Sequence, residues 1–244
     1  MTKRLSFILV LVFSFSCATD RPSGKTEAEA LYKEALGLVE EGHYQFAQER
    51  LNEIKSKYPY SFYATHAELL AADILYKQES FVEAASAYTL FKDFHPKHEK
   101  IDYVIWRVAE SYNEQIPTFD RDLTPAFQAI KYYREVISRF PKSKYIKNAR
   151  EKIDFAEEKI RAKEQYIADF YFKTKEYSAA EYRYRDILKT FHRPKSFIDH
   201  AKVRLVKSAY NQKKIDECKK YFKSYYPSLD AESQEMINQL EECK

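Results

Sequence analysis

The sequence predicts an all-α fold: a right-handed solenoid of about five helix pairs, closed by a C-terminal capping helix. Three observations predict it. Glycine is nearly absent, with 3 in 244 residues against a usual share of about 7%. Proline recurs just after an aromatic residue. Between these stops, small and large apolar residues return at helical spacing. A chain so poor in Gly cannot easily build phosphate-cradling loops or many tight hairpins, which need positive φ or close backbone approach. It suits helices joined by short turns. The length, with 45% hydrophobic and 32% charged residues, is enough to bury a core.

In chain order, the first element is an export signal over residues 1–16. Lys3 and Arg4 form a positive start, Leu5 to Phe13 is a short apolar run, and Ser14-Phe15-Ser16 leads to Cys17. The run is too short for a bilayer-spanning helix of about 20 residues. A Cys directly after the run and a small residue resembles a lipobox, in which the Cys thiol takes a diacylglyceryl group and becomes the first residue of the mature chain. Ser14 and Phe15 depart from the usual lipobox residues, and the alternative is an ordinary signal peptide cut near this point. Ala18, in place of the Asp that favours inner-membrane retention, implies delivery to the outer membrane. Acyl chains such as palmitate anchor firmly, at about 0.8 kcal/mol per buried CH₂. Residues 17–25 then form a short tether rich in turn residues.

The repeats begin at Thr26. Their stops are Tyr58-Pro59, Phe94-His95-Pro96, Phe140-Pro141, a looser Phe191-His192-Arg193-Pro194, and Tyr226-Pro227. Proline cannot continue a helix and biases the residue before it away from αR. The spacings lie near the 34-residue period of tetratricopeptide repeats, with insertions. Counting back from Pro59 places Leu31, Ala35, Tyr44, Ala47 and Leu51 at positions such repeats reserve for apolar, small, aromatic, small and large residues. The second unit has Ala72, Leu75, Phe81, Ala84 and Tyr88. The third has Ala109, Tyr112, Ala129 and Tyr133, and the fourth Ala168, Tyr171, Tyr177, Ala180 and Tyr184. The fifth and weakest has Leu205, Ala209, Ile215, Cys218 and Phe222. Small residues let two helix backbones approach, and large neighbours fill the space beside them. One pair cannot bury its apolar face alone, so pairs stack.

Two irregularities interrupt the period. Ala109 and Ala129 are farther apart than Ala72 and Ala84, so an insertion sits near Asn113 to Leu123. It holds Asp120-Arg121-Asp122, followed by Thr124 as the expected N-cap and Pro125 as N1. Next, residues about 143–173 carry Ile146, Ala149, Ile153, Ala156, Ile160, Ile167 and Phe170 with no breaker. That is one helix about 45 Å long, joining an N-terminal half, 26–141, to a C-terminal half, 142–244. Asp230 to Lys244, with Met236, Ile237 and Leu240 at helical spacing, reads as the capping helix.

Little in the chain points to chemistry. There is no GxSxG, Walker loop, HExxH or CxxC motif, and no two of the six His stand at i, i+4. His95 and His98 flank a proline turn, so no metal site is expected. No cofactor and no catalytic residues are expected, and the chain reads as a binding protein. An enzyme would instead require a His or carboxylate cluster in a deep cleft. The net charge is +4, and removal of Lys3 and Arg4 leaves it nearly neutral. Interleaved charges such as Arg150-Glu151-Lys152 describe a solvated helix face, not a nucleic-acid stripe. Cys218 and Cys243 would meet an oxidising compartment. They are either a disulfide across the turn at Pro227 to Leu229 or two separate buried thiols.

The whole arrangement resembles the BamD family, the tetratricopeptide lipoproteins of the outer-membrane β-barrel assembly machinery. The resemblance rests on Lys57-Tyr58-Pro59-Tyr60 with Tyr63, on Pro96-Lys97-His98 with Ile101-Asp102-Tyr103-Val104, and above all on Asp120-Arg121-Asp122 with Phe140-Pro141-Lys142-Ser143-Lys144-Tyr145. Ile160 through Ala162-Lys163 to Ala168-Asp169-Phe170-Tyr171 completes it. It implies a scaffold whose C-terminal repeats hold a POTRA domain of the barrel-forming subunit. The contact turn would be Tyr210, Asn211, Lys213 and Lys214, with Asn211 where many members have Arg. It also implies that the N-terminal repeats meet unfolded outer-membrane protein substrates or an accessory assembly lipoprotein. Tyr60, Phe62, Tyr63, Tyr103 and Trp106 exceed what a helix-pair core needs and suit a peptide groove, lined or braced by Asp102, Asp120, Arg121 and Asp122. A periplasmic scaffold of cell-envelope or division machinery is the alternative.

Overall fold

A computed structural model describes residues 24–244. The signal segment, Cys17 and most of the tether lie outside the described residues. Eleven α-helices follow in chain order among them, with no strand: α1 Glu27–Glu40, α2 Tyr44–Lys57, α3 Phe62–Lys77, α4 Phe81–Phe94, α5 Ile101–Asn113, α6 Thr124–Arg139, α7 Ile146–Lys173, α8 Tyr177–Thr190, α9 Lys195–Asn211, α10 Ile215–Tyr225 and α11 Ala231–Asn238. The fold is all-α, built of helix pairs. The chain forms two compact units, one up to Gln78 and one from Glu79 to Lys244. The 141/142 boundary drawn from the sequence falls inside the second unit, at the turn before α7.

In the first unit α1, α2 and α3 pack on one another around Leu31, Ala35, Ala47, Leu51 and Ile54, all fully buried. Thr26 and Ser61 cap α1 and α3, their hydroxyls accepting from Glu29 N and Ala64 N at 3.2 and 3.1 Å. In the second unit each helix packs on the next, from α4 through α10, and α11 closes the end against α9. Neighbour-on-neighbour packing is what a solenoid of helix pairs requires.

The small positions read from the sequence are the places where no space remains. Ala35, Ala47, Ala72, Ala84, Ala109, Ala129, Ala168, Ala180, Ala209 and Cys218 all have 0% exposure. Tyr88 on α4, Tyr133 on α6 and Tyr184 on α8 are the largest fully buried side chains. A buried phenol needs an acceptor, and two of them find it one residue beyond the small Ala of the preceding helix. Tyr133 donates to Glu110, and Tyr184 donates to Asp169 at 2.5 Å.

Two sequence expectations need correction. Thr124 is not the N-cap of α6 but its first residue, with Leu123 at the cap. The capping oxygen comes from Asp122, whose Oδ1 accepts from Thr124 N at 3.2 Å and from its hydroxyl at 3.0 Å. In the C-terminal cap, Asp230 accepts from Ser233 N at 2.8 Å and Ile237 is fully buried, but Met236 faces outward at 42% exposure. Adjacent residues of an α-helix point about 100° apart, so the face of α11 that buries Ile237 turns Met236 outward.

Candidate partner-binding surfaces

In the first unit, Ser61 ends the turn and starts α3, which leaves Tyr60 outside the helix and fully exposed. Phe62, 70% exposed, lies 4.1 Å from the His66 ring and 5.5 Å from Tyr63. Tyr63 also meets Tyr32 at 5.6 Å and packs on the core. Tyr63 is therefore partly a core residue, while Tyr60 and Phe62 are exposed to solvent.

In the second unit, Tyr103 and Trp106 lie one turn apart on α5. Trp106 stacks on Tyr145 at 4.5 Å and 15°, and Tyr103 lies 5.9 Å from the same ring. The indole N–H donates to Asn148 Oδ1 at 2.8 Å. The Arg107 guanidinium covers Trp106 at 4.8 Å and Tyr103 at 5.3 Å, and its Nε donates to the Tyr103 hydroxyl at 2.9 Å. The Lys144 ammonium lies over the Tyr145 ring at 5.2 Å, so the result is a half-buried aromatic plaque with two cations on it. Asp102 braces it: its Oδ2 accepts from the Ser143 hydroxyl at 2.7 Å, and its Oδ1 accepts from Tyr103 N at 2.8 Å. Tyr145, Asn148 and Arg107 were not selected from the sequence. Tyr145 and Asn148 reach Trp106 across up to 42 positions of sequence, which local spacing does not reveal, whereas Arg107 stands at i, i+4 to Tyr103.

Asp120, Arg121 and Asp122 are all exposed. Their insertion is tied to the middle of α7, not to its start. Lys163 donates to the Arg121 carbonyl, and Phe119 meets Tyr166 edge-on at 5.4 Å. A hydrogen bond from Thr118 holds the Asp120 carboxyl below its ordinary range. The plaque partners Tyr145 and Asn148 stand about 27 Å along α7 from Lys163 and Tyr166, at 1.5 Å per residue. Asp120 to Asp122 and the Tyr103–Trp106 plaque are thus two places on the second unit.

The turn between α9 and α10 carries the last set. Lys214 is already engaged, 3.2 Å from Glu181 and 3.8 Å from Glu217. Glu181 is buried, and burial alone would raise its pKa. Hydrogen bonds from Gln212, Lys214 and Tyr221 outweigh that and hold it low. Asn211 is exposed, its amide donating to the Lys207 carbonyl at 2.8 Å. Tyr210 is half-buried against the C-terminal core. Lys213 stands exposed at φ 59°, so Asn211 and Lys213 are the side chains the turn presents. Beyond it, Cys218 and Cys243 are bonded, with Cα atoms 5.2 Å apart. Among the described residues there is no group of three metal-ligating side chains, and no helix long and apolar enough to cross a membrane.

The family model for YfiO, described as an outer membrane lipoprotein, matches residues 25–225. The chain belongs to this family. The match covers α1 to α10 and leaves out the C-terminal cap, residues 226–244. The chain is 29% identical over 224 residues to the outer membrane protein assembly factor BamD of Rickettsia prowazekii (strain Madrid E), covering 91% of this chain and 89% of that one. It is 27% identical to the same-named factor of Caulobacter vibrioides, over 74% of this chain and 59% of the relative's length. Among solved structures, a tetratricopeptide repeat protein from Parabacteroides merdae aligns over 88% of this chain and 74% of its own, at 18% identity and a TM-score of 0.39.

Proposed function

We propose that this chain is a non-catalytic scaffold of outer-membrane β-barrel protein assembly, tethered to the outer membrane through lipid on Cys17 and facing the periplasm. The observation that carries the reading is the unbroken family match over residues 25–225, together with relatives named as assembly factors. In this reading the C-terminal half, 142–244, holds a POTRA domain of the barrel-forming subunit. Asn211 and Lys213 are its contacts, since Lys214 is committed to Glu181. The N-terminal half, 26–141, receives extended segments of unfolded barrel substrates or an accessory lipoprotein on two separate surfaces, Tyr60 and Phe62 in the first unit and Tyr103 and Trp106 in the second. Rigid aromatic side chains give large contact area at low entropic cost.

Affinity purification of the anchored chain from membranes, read by mass spectrometry, tests this. The barrel-forming subunit is expected in the eluate, and Lys213→Glu is expected to reduce it about tenfold by placing a like charge at the contact. Absence of that subunit from the parent eluate sinks the reading.

A further inference from the structure

We propose that the C-terminal cap carries a docking pocket for an acidic segment of a partner protein that inserts one aromatic side chain. The cavity holds about 570 Å³ and lies between α10, the turn after it and the last residues of the chain. Phe222 and Tyr226, one turn apart, stack at 4.9 Å and 18° and form one wall with Pro227. Asn238, Cys243 and Lys244 form the facing wall, which the bond from Cys243 to Cys218 fastens to α10.

The ionisable side chains that line this apolar floor have one sign. Lys219, Lys223 and Lys244 line the cavity, and no Asp or Glu side chain does. Lys244 is paired with Glu241 at 2.8 Å. Lys219 and Lys223 are exposed and stand at i and i+4, so both ammonium groups overhang the same side of the stacked rings. The acidic residues of α10, Asp216 and Glu217, belong to its first turn, and Glu217 faces Lys214. Among the described residues Lys219 and Lys223 form no ion pair, and they stand beside an aromatic floor where a partner's carboxylate can reach them.

The shape favours a peptide over an anionic bilayer. Phe222 and Tyr226 are recessed, not projecting, so they admit an inserted side chain but offer nothing to embed. The exposed large apolar side chain of this end, Met236, lines a different hollow. Charge-assisted contacts from two lysines would orient the acidic segment, and stacking on the ring pair would select its aromatic residue. The proposal is independent of the assembly reading. The α9–α10 turn stands at the opposite end of α10, and the family match stops at residue 225.

The test uses the full chain in detergent and a fluorescein-labelled peptide of Glu and Asp around one central Phe, followed by fluorescence anisotropy. Saturable binding is expected. Lys219→Glu with Lys223→Glu is expected to weaken it about tenfold, and Ala in place of the peptide's Phe to weaken it similarly. Both lysines are exposed, so an unchanged helical circular dichroism spectrum verifies that the variant folds. Equal affinity of parent and variant overturns the proposal. So does binding to phosphatidylglycerol vesicles without peptide binding. Co-purification of the barrel-forming subunit by the same variant separates failure here from failure of the assembly reading.

Discussion

At four of the turns that join successive helices one residue adopts positive φ: Gly42 at 80° before α2, Glu79 at 60° before α4, Lys175 at 66° before α8 and Lys213 at 59° before α10. Between α5 and α6 the insertion takes that place instead. Only the first of these positions uses the residue for which left-handed backbone is free of strain. Substituting Gly42→Ala is expected to cost about 1 kcal/mol. Nothing lies within 4 Å of the added Cβ, so the cost is that of the backbone alone. Lys175→Gly should stabilise by about 0.5 kcal/mol, the relief of strain exceeding the entropy Gly adds to the unfolded chain. Urea midpoints of the two variants check both signs. Asp169 makes a second prediction at this scale. Burial opposes its ionisation, but hydrogen bonds from His200 at 2.9 Å and Tyr184 at 2.5 Å outweigh it, and the carboxyl is held at about 2 against an ordinary 3.8. A lowered pKa stabilises fully above the unfolded value and is lost as pH falls toward the folded one. Thermal unfolding of the parent should therefore lose stability between about pH 4 and about pH 2. Asp169→Asn should flatten that part of the curve and cost about 1–2 kcal/mol near neutrality.

Helix pairs were legible wherever packing forces a residue type onto a position. The small side chain at each helix crossing and the tyrosine beside it recur because two backbones can approach there in only one way, and those alanines and tyrosines are the buried ones. The Asp122 cap was missed because the choice between an N-cap and a capping first-turn neighbour depends on one backbone angle. The Trp106–Tyr145–Arg107 plaque and the Lys214–Glu181 pair join separate helices, and no local period announces such contacts. Tyr103, Trp106, Asn211 and Lys213 could be selected as residue types, but which of them stay open to a partner required the packing around them. Cys218 and Cys243 illustrate the same limit: their spacing allowed either a bond or two thiols. The bond holds the cap to α10, and its effect belongs to these elements. Closing a loop over a sequence separation of 25 removes unfolded-state entropy equivalent to about 3.5 kcal/mol. Reduction, or Cys218→Ser with Cys243→Ser, should lower the unfolding free energy by about 3 kcal/mol. A urea midpoint unmoved by dithiothreitol would contradict this.

In the proposed reading, lipid on Cys17 sets how tightly the whole molecule must hold its partners. A chain free in a compartment needs an interface strong enough to repay lost translational freedom, whereas one tethered at the same membrane as its partner meets it at an effective concentration of about millimolar. If they are the proposed contacts, a turn presenting only Asn211 and Lys213, and aromatic surfaces that are half-buried or single, would be weak interfaces by residue count. Such contacts would suit a tethered scaffold and would serve a freely diffusing one poorly. The link between anchoring and binding can be measured. Cys17→Ser removes the thiol that would carry the lipid without touching residues 24–244. The parent is expected to incorporate labelled palmitate and to sediment with outer membranes, and the variant to carry no label. At native expression the variant should co-purify about tenfold less of the barrel-forming subunit, while mixing purified components at high concentration should restore the complex, because the contact residues are unchanged. Label retained by the variant would remove Cys17 as the lipid site. Undiminished co-purification of an unlabelled variant would show that the interface holds without the tether, and the argument from effective concentration would fail.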